Sequence, residues 1–316
     1  KEKIFSLKIS ADREIEDEES YFKEIFKSWL RREIKDARKD MTRAEKFRLK
    51  RKNIQLAVFL ILAIMVILIA IFAPAIVPRD PFKMIAPSLR RPSRQYIFGT
   101  DHLGRDLFSR IIYGSRYSVF MTLALIFIVF LVGTVLGVIA GYFGGIADTV
   151  IMRFGDMMIA FPGLIFAIAI AGLLNPSVKN SIIAIAAVTW TKYARLARSM
   201  VLKIKQELYV KAAKLTGSKD YSVIFKYIIP NMITTMIVTA VSDMGTLMLE
   251  IAALSFLGFG AQPPTPEWGA MLNEGRTTLS SAPWMMLYPG LAIVIVVTIF
   301  NMLGDSIRDL VDVKSE

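Results

Sequence analysis

Reactive side chains are sparse in this chain of 316 residues. It has no cysteine and one histidine, His102, which excludes disulfides, thiolate metal sites and thiol nucleophiles. A lone imidazole without clustered carboxylates or a second histidine supplies neither a zinc-type ligand set nor a nucleophile and base pair. Gly217-Ser218-Lys219 has the composition of a phosphate loop but not its spacing, since lysine does not follow the glycine and no glycine stands five positions before it. The chemistry left is that of two carboxylates. Asp243 and Glu250 are seven residues apart, hence on one helical face, inside a long apolar run. A charge at the centre of a bilayer costs about 2.5–3.5 kcal/mol, so both should face protein or water. Two readings stay open for them: they line a polar path through the membrane, or they pair structurally with a neighbouring subunit.

The elements that would position them are apolar helices. Hydrophobic residues make up 54% of the chain and its mean hydropathy is positive, outside the range of soluble domains. Residues 54–73 carry no charge and contain fourteen Leu, Ile, Val or Phe residues, enough for about 30 Å of helix with favourable insertion. The run lies too deep in the sequence and is too long for a secretory signal, although Ala73-Pro74-Ala75 resembles a cleavage site. A second span begins at Tyr117 and should finish near Ala140, before Gly141-Tyr142-Phe143-Gly144-Gly145. A third covers residues 157–178, with a kink expected at Pro162 and an end at Asn175-Pro176. Residues 180–191 are twelve uncharged residues, a length more typical of a buried or re-entrant segment than of a crossing. Lys192 and Arg195 can lengthen the stretch by snorkelling outward, and it counts as the fourth span because otherwise the basic 192–226 loop would lie outside. Residues 227–267 and 277–304 supply the fifth and sixth spans. The expected fold is therefore all-α and polytopic, with six transmembrane helices and both termini cytoplasmic.

The net charge of +12 is not that of a nucleic-acid-binding surface, because the basic residues cluster between uncharged runs, where they act as topology signals. Nine Lys and Arg in residues 35–52 and nine in residues 192–226, with Arg153, Arg308 and Lys314, fall on the side assigned to the cytoplasm. The other side holds eight in residues 79–116, with Lys179 and Arg276. The inside excess supports the assignment, but the first outer segment is unusually basic and has no explanation at this level. The organisation expected is a cytoplasmic extension over 1–53, a first transmembrane helix over 54–76 and an extracytoplasmic segment over 77–116. A five-helix core over 117–304, with a cytoplasmic loop at 192–231, and a tail over 305–316 complete it. In the extension, Phe22, Ile25, Phe26, Trp29 and Leu30 repeat at helical spacing, as on an amphipathic helix. Leu107, Phe108, Ile111 and Ile112 form an apolar stripe expected of an interfacial helix. Arg153 and Asp156 are spaced to pair on a helix surface.

The loop over 192–231 reads as helix, turn, helix. Ala212, Ala213 and Leu215 favour helix, Gly217 suits a left-handed end, Ser218 or Asp220 can cap the next helix, and Pro230 suits the first turn of the one that follows. Small side chains at Ala212 and Ala213 allow close approach by a partner's groove, and the lysines around them suit a partner's carboxylates. Lys211-Ala212-Ala213, then Gly217, then Tyr227-Ile228-Ile229-Pro230 resembles the EAA loop of ABC importer permeases, with Lys211 in place of the motif glutamate and Ile229 in place of the leucine before Pro230. Further stretches narrow the resemblance to the C-type permease of dipeptide, oligopeptide and nickel importers. They include Phe98-Gly99-Thr100-Asp101-His102-Leu103-Gly104-Arg105-Asp106, Leu254-Ser255-Phe256-Leu257-Gly258-Phe259-Gly260, and Gln262-Pro263-Pro264-Thr265-Pro266-Glu267-Trp268-Gly269.

That resemblance implies a MetI-like, type I importer fold in a non-catalytic subunit of a prokaryotic cytoplasmic membrane. It implies as partners a homologous second permease, two ATP-binding subunits that hold ATP and Mg, an extracytoplasmic solute-binding protein and membrane lipid, with no nucleic acid and no cofactor in this chain. It assigns the ATPase-coupling role to Lys211, Ala212, Ala213, Gly217, Ile229 and Pro230. Peptides are the expected cargo, with nickel or oligosaccharides as alternatives on the same architecture. From other classes, an ion-coupled secondary transporter would use Asp243 and Glu250 as coupling groups but usually shows internal repeats and broken midplane helices, and a membrane scaffold would carry nothing.

Overall fold

A computed structural model describes residues 43–312. The amphipathic helix expected around Phe22 to Leu30 and the last four residues lie outside them. Every regular element among the described residues is a helix, with one isolated antiparallel bridge between Thr100 and Asp106. In chain order these are α1 Arg43–Ile76, α2 Leu107–Phe143, α3 Gly145–Ile159, α4 Gly163–Leu173, α5 Val178–Ile204, α6 Leu208–Leu215, α7 Asp220–Val223, a π-helical turn Ile224–Ile228, α8 Ile229–Phe256, α9 Trp268–Gly275, a 3₁₀ turn Arg276–Thr278 and α10 Trp284–Asp312.

Several boundaries differ from those expected, each for a local reason. The first helix is already formed at Arg43, the first described residue and ahead of the apolar run, where Ala44, Glu45, Lys46, Arg48 and Leu49 are good helix formers. The stripe at residues 107–112 is not a separate interfacial helix but the start of α2. Asp106 caps it, its carboxylate accepting the Ser109 N–H at 2.9 Å and the Ser109 hydroxyl at 2.6 Å. At 37 residues α2 is about 55 Å long, well beyond the hydrocarbon thickness of a bilayer. It runs past Ala140 to Phe143, where Gly144 at φ 68° ends it. The break at Pro162 is a 91° turn between α3 and α4 rather than a kink within one helix, and α3 starts at Gly145 rather than Met157. Glu267, expected to end the fifth span, instead lies beyond a loop and caps α9, while α10 continues past Gly304 to Asp312.

The stretch expected to be short is part of a long helix. α5 has 27 residues, about 40 Å, and its second half carries Lys192, Arg195 and Arg198. Among the described residues, four helical stretches are long and apolar enough to cross a membrane, namely Lys50–Ile76, Leu107–Phe143, Asp220–Phe256 and Trp284–Leu310, and a fifth is obtained if the bent pair α3–α4 is one span. The chain is a multi-pass membrane protein.

Close contact between α2 and α5 organises the bundle. Gly133, Gly137 and Gly141 repeat at four-residue spacing along one face of α2. A Cβ on Gly133 would collide with the Cβ of Tyr193, one on Gly137 with the carbonyl of Ala194, and one on Gly141 would stand 2.9 Å from the Cβ of Val201. A stripe of this kind lets two backbones approach without a hydrophobic driving force, as helix pairs in lipid require. Around it Leu125, Val129, Tyr193, Ala197, Val201, Met232, Met236 and Leu254 form one buried core.

At one end of the bundle, residues 77–106 and 257–283 pack into a layer. The Trp284 indole donates to the Thr100 carbonyl at 3.3 Å and the Trp268 indole to the Ile111 carbonyl at 2.9 Å. Glu267 is fully buried and accepts the N–H groups of Gly269 and Ala270 at 3.0 and 2.9 Å and the Ser118 hydroxyl at 3.2 Å. Burial pushes its carboxyl above the usual range, and the hydrogen bonds from Gly269, Ala270 and Ser118 only partly offset that.

Gly137→Leu should force α2 and α5 apart and cost at least about 1–3 kcal/mol, read as loss of the monodisperse peak in detergent size-exclusion chromatography. Gly172→Ala, whose Cβ would meet only a Phe259 ring carbon at 3.7 Å, should leave the peak unchanged. Because the folded Glu267 carboxyl titrates above its unfolded value of about 4.3, its contribution is present below that pH and fades as pH rises through the folded value. Melting of wild type and Glu267→Gln across that range should therefore shift in favour of the Gln variant as pH rises.

Candidate functional site

The segment between α5 and α8 folds as a compact unit held against the ends of α2 and α5. In α6, Val210 and Ala213 point inward, Val210 joining the core of Ile204, Val223 and Ile228. Lys211, Ala212, Leu215 and Gly217 are on the surface. Of the two alanines expected to meet a partner's groove, only Ala212 is presented outward, since the 3.6-residue period turns Ala213 into the protein.

The end of α6 is a Schellman motif. The N–H of Ser218 bonds the Ala213 carbonyl at 3.0 Å and the N–H of Gly217 bonds the Lys214 carbonyl at 3.1 Å. Gly217 has φ 83°, as its position requires, and nothing lies within 4 Å of where a Cβ would be. The following helix starts at Asp220 with Lys219 as its N-cap and no side-chain cap, so neither Ser218 nor Asp220 caps it as expected. Asp220 is held away from a capping role by Tyr142, whose hydroxyl donates to its carboxylate at 2.5 Å. α7, the π turn and α8 follow without a gap, so Pro230 lies within a continuous helical path. The N–H of Ile229 reaches back to Ile224, and the Asn231 side chain donates to the Tyr227 carbonyl at 2.6 Å, relieving the backbone pattern that Pro230 interrupts.

Tyr142 was legible in the sequence only as part of a glycine-rich break, yet it clasps this unit. Buried at the end of α2, it receives the Lys205 ammonium on its carbonyl at 2.6 Å, and Lys214 lies over its ring at 4.5 Å. Also missed are four large side chains left in the open: Leu208 (82% exposed), Leu215 (89%), Phe225 (68%) and Tyr221 (63%). Their signal was available, as apolar residues interrupting a lysine-rich loop. Exposed apolar groups grouped in this way mark an interaction surface.

Asp243 and Glu250 both lie on α8 and are half-buried. Asp243 is met within its own chain: Lys192 donates to Oδ1 at 2.7 Å and the Tyr193 hydroxyl to Oδ2 at 3.1 Å. Lys192 therefore points to a carboxylate rather than snorkelling outward, and so does Arg195, which binds Asp156 at 2.7 Å. Asp156 is taken by α5 rather than by Arg153. Arg198 completes the series with two bonds to Asp148, one of them 2.6 Å. The charged half of α5 is thus tied to α8 once and to α3 twice. Glu250, two turns along from Asp243, makes no hydrogen bond among the described residues.

His102 does have carboxylates beside it, contrary to expectation. Asp101, His102 and Glu274 bring their ligand atoms within 4.8 Å of one another. Both carboxylates are already engaged by buried guanidiniums, however. Arg105 binds Asp101 at 2.5 Å and Glu274 at 3.1 Å, and Arg110 binds Glu274 at 3.0 Å and stands 3.4 Å from Asp101. Two fixed positive charges fill the place of a cation, so the group serves as a clasp between residues 101–110 and α9.

Comparison with known proteins agrees with this architecture. Residues 133–315 match the family model described as the binding-protein-dependent transport system inner membrane component. The dipeptide transport system permease protein DppC of Alkalihalophilus pseudofirmus is 46% identical over 277 residues, 85% of this chain and 89% of that protein. The glutathione transport system permease protein GsiD of Pectobacterium atrosepticum is 41% identical over 223 residues, 71% of this chain and 74% of that protein. A chain from a structure of the MetNI methionine ABC transporter in inward-facing conformations superposes with a TM-score of 0.51 at 15% identity, covering 64% of this chain and 97% of that one, a likeness of fold alone. With more than half of its length in the family model and relatives above 40% identity over most of it, this chain belongs to the family of binding-protein-dependent transport system inner membrane components.

Proposed function

We propose that the chain is the permease subunit of an ATP-driven peptide importer in a prokaryotic cytoplasmic membrane, forming half of the translocation pathway. The observation that carries this reading is the unit from α6 to the start of α8, a stiff helix, turn and helix fixed by Tyr142 at one end and continuous with a membrane helix at the other. Such a unit transmits a rigid-body displacement, and its exposed Leu208, Leu215, Tyr221 and Phe225 with Lys211 and Ala212 suit a groove on an ATP-binding subunit. Short peptides as cargo are supported by the names of the dipeptide and glutathione permeases above.

In this account α1, α2, the α3–α4 pair, α5, α8 and α10 make six crossings with both termini in the cytoplasm. ATP and Mg are held by two ATP-binding subunits, and a second permease and an extracytoplasmic solute-binding protein complete the assembly. The α5 cations are tolerated at membrane depth because each meets a carboxylate. Lys211, Ala212, Gly217, Ile229 and Pro230 belong to the coupling surface, with Ala213 beneath it. Asp243 and Glu250 face the pathway, and Glu250, free of a hydrogen bond among the described residues, meets the cargo's amino group.

When the chain is purified with its co-expressed neighbours and reconstituted, peptide uptake should require nucleotide. Uptake without it, or a preparation lacking an ATP-binding subunit, would contradict the proposal. Gly217→Val should lower uptake at least tenfold while ATP hydrolysis persists, because a β-branched residue is costly at φ 83°; normal uptake would remove the coupling role. Glu250→Gln should reduce uptake severalfold with assembly and ATP hydrolysis intact. Loss of assembly instead would mark Glu250 as structural.

A further inference from the structure

The basic segment after α1 has a feature that charge topology alone leaves unexplained. Residues 82–97 expose apolar side chains and cations together: Met84 is 66% and Ile97 55% exposed, with Phe82 and Ile85 also open, and Lys83, Arg90, Arg91 and Arg94 are on the same surface segment. Some of these charges are held locally. Arg79 and Arg90 lie against the ring of buried Tyr96, 4.7 and 5.3 Å from its centre, Arg79 also reaches Asp106 at 3.6 Å, and Lys83 reaches Asp80 at 3.6 Å. Arg91 and Arg94 have no anionic partner among the described residues. Arg94 is carried on a tight turn closed by two bonds between Ser93 and Tyr96, the N–H of Ser93 to the Tyr96 carbonyl at 2.8 Å and the N–H of Tyr96 to the Ser93 hydroxyl at 3.2 Å.

The segment begins where α1 ends, and the last turns of α1 expose Leu68, Ile71, Phe72 and Ile76, a surface made for acyl chains. We infer that residues 82–97 form a binding surface for anionic phospholipid, with Arg91 and Arg94 holding the headgroup phosphate and Met84, Ile85 and Ile97 seated at the acyl boundary. Guanidiniums suit a phosphate because they donate two parallel hydrogen bonds. A purely electrostatic surface for an acidic protein would not need large apolar side chains set between the cations, whereas an interfacial lipid surface does. The surface depends on the segment lying at a membrane face and not on the cargo or the motor.

The absence of native cysteine gives a local test. Ile97→Cys, labelled with bimane in the co-purified complex, is placed in phosphatidylcholine nanodiscs holding a small fraction of either 5-doxyl phosphatidylglycerol or 5-doxyl phosphatidylcholine. Phosphatidylglycerol should quench the label more strongly at equal mole fraction, and 0.5 M salt should reduce the difference. Adding Arg91→Ala and Arg94→Ala should abolish the preference, with about a fivefold loss for each cation removed, the ratio set by about 1 kcal/mol per basic side chain near an anionic surface. Arg91→Lys with Arg94→Lys should keep part of it. Both arginines are exposed, so the variants should remain monodisperse. Equal quenching by the two lipids, no quenching by either, or an unchanged preference in the double Ala variant would overturn the inference. If no ATP-binding subunit co-purifies yet the preference holds, the importer reading fails and this one stands.

Discussion

The contact on which this structure depends most is the backbone approach of α2 and α5. In an apolar solvent two helices gain little from burying leucines, so they must meet through close packing and polar bonds. The glycine stripe supplies the first. It brings Tyr193, Ala194, Ala197 and Val201 against the α2 backbone and so fixes the rotation of α5. With that rotation set, Lys192 faces α8 while Arg195 and Arg198 face α3, and three cations on one helix each find a carboxylate.

The same contact places the unit from α6 to the start of α8. α2 runs to Phe143 because the stripe needs Gly141 in helical conformation, and that extra length delivers Tyr142 to Asp220, Lys205 and Lys214. α6 is therefore joined to the bundle by no slack loop: Tyr142 ties its surroundings to α2, and the unbroken path across the π turn ties them to α8. At the opposite end, the pairing of Arg105 and Arg110 with Asp101 and Glu274 ties residues 101–110 to α9. Removal of any one member of this network would strand a buried charge.

Long uncharged runs made the apolar membrane helices visible in the sequence, and the spacing of Ala212, Gly217 and Pro230 made the helical loop visible too. Boundaries were less legible, because glycine and proline carry two meanings. Gly141 reads as a helix breaker when considered alone, but against α5 it is a packing residue inside a helix. Pro162 reads as a kink, yet the angle it permits is decided by what α3 and α4 pack on. α5 was judged by its uncharged stretch, although its length follows from pairing partners on other helices that no local pattern displays. Asp243 stood out as a charge in an apolar run, but its partner Lys192 is 51 positions away. Tyr142 and the clasp at Glu274 arise from similarly distant contacts, and Ala213 was misjudged because helix phase, not composition, decides which alanine faces out.

In the proposed assembly the outward face of α6 lies in the cytoplasm and docks on an ATP-binding subunit. A single cysteine at Ala212 tests it directly, because the chain has none of its own. In intact cells Ala212→Cys should be shielded from a membrane-impermeant maleimide added outside, and in membranes containing the co-expressed assembly it should cross-link through a short spacer to the ATP-binding subunit. Labelling from outside, or an Ala212→Cys that reacts freely with solvent reagent and cross-links to no other subunit, would contradict the account.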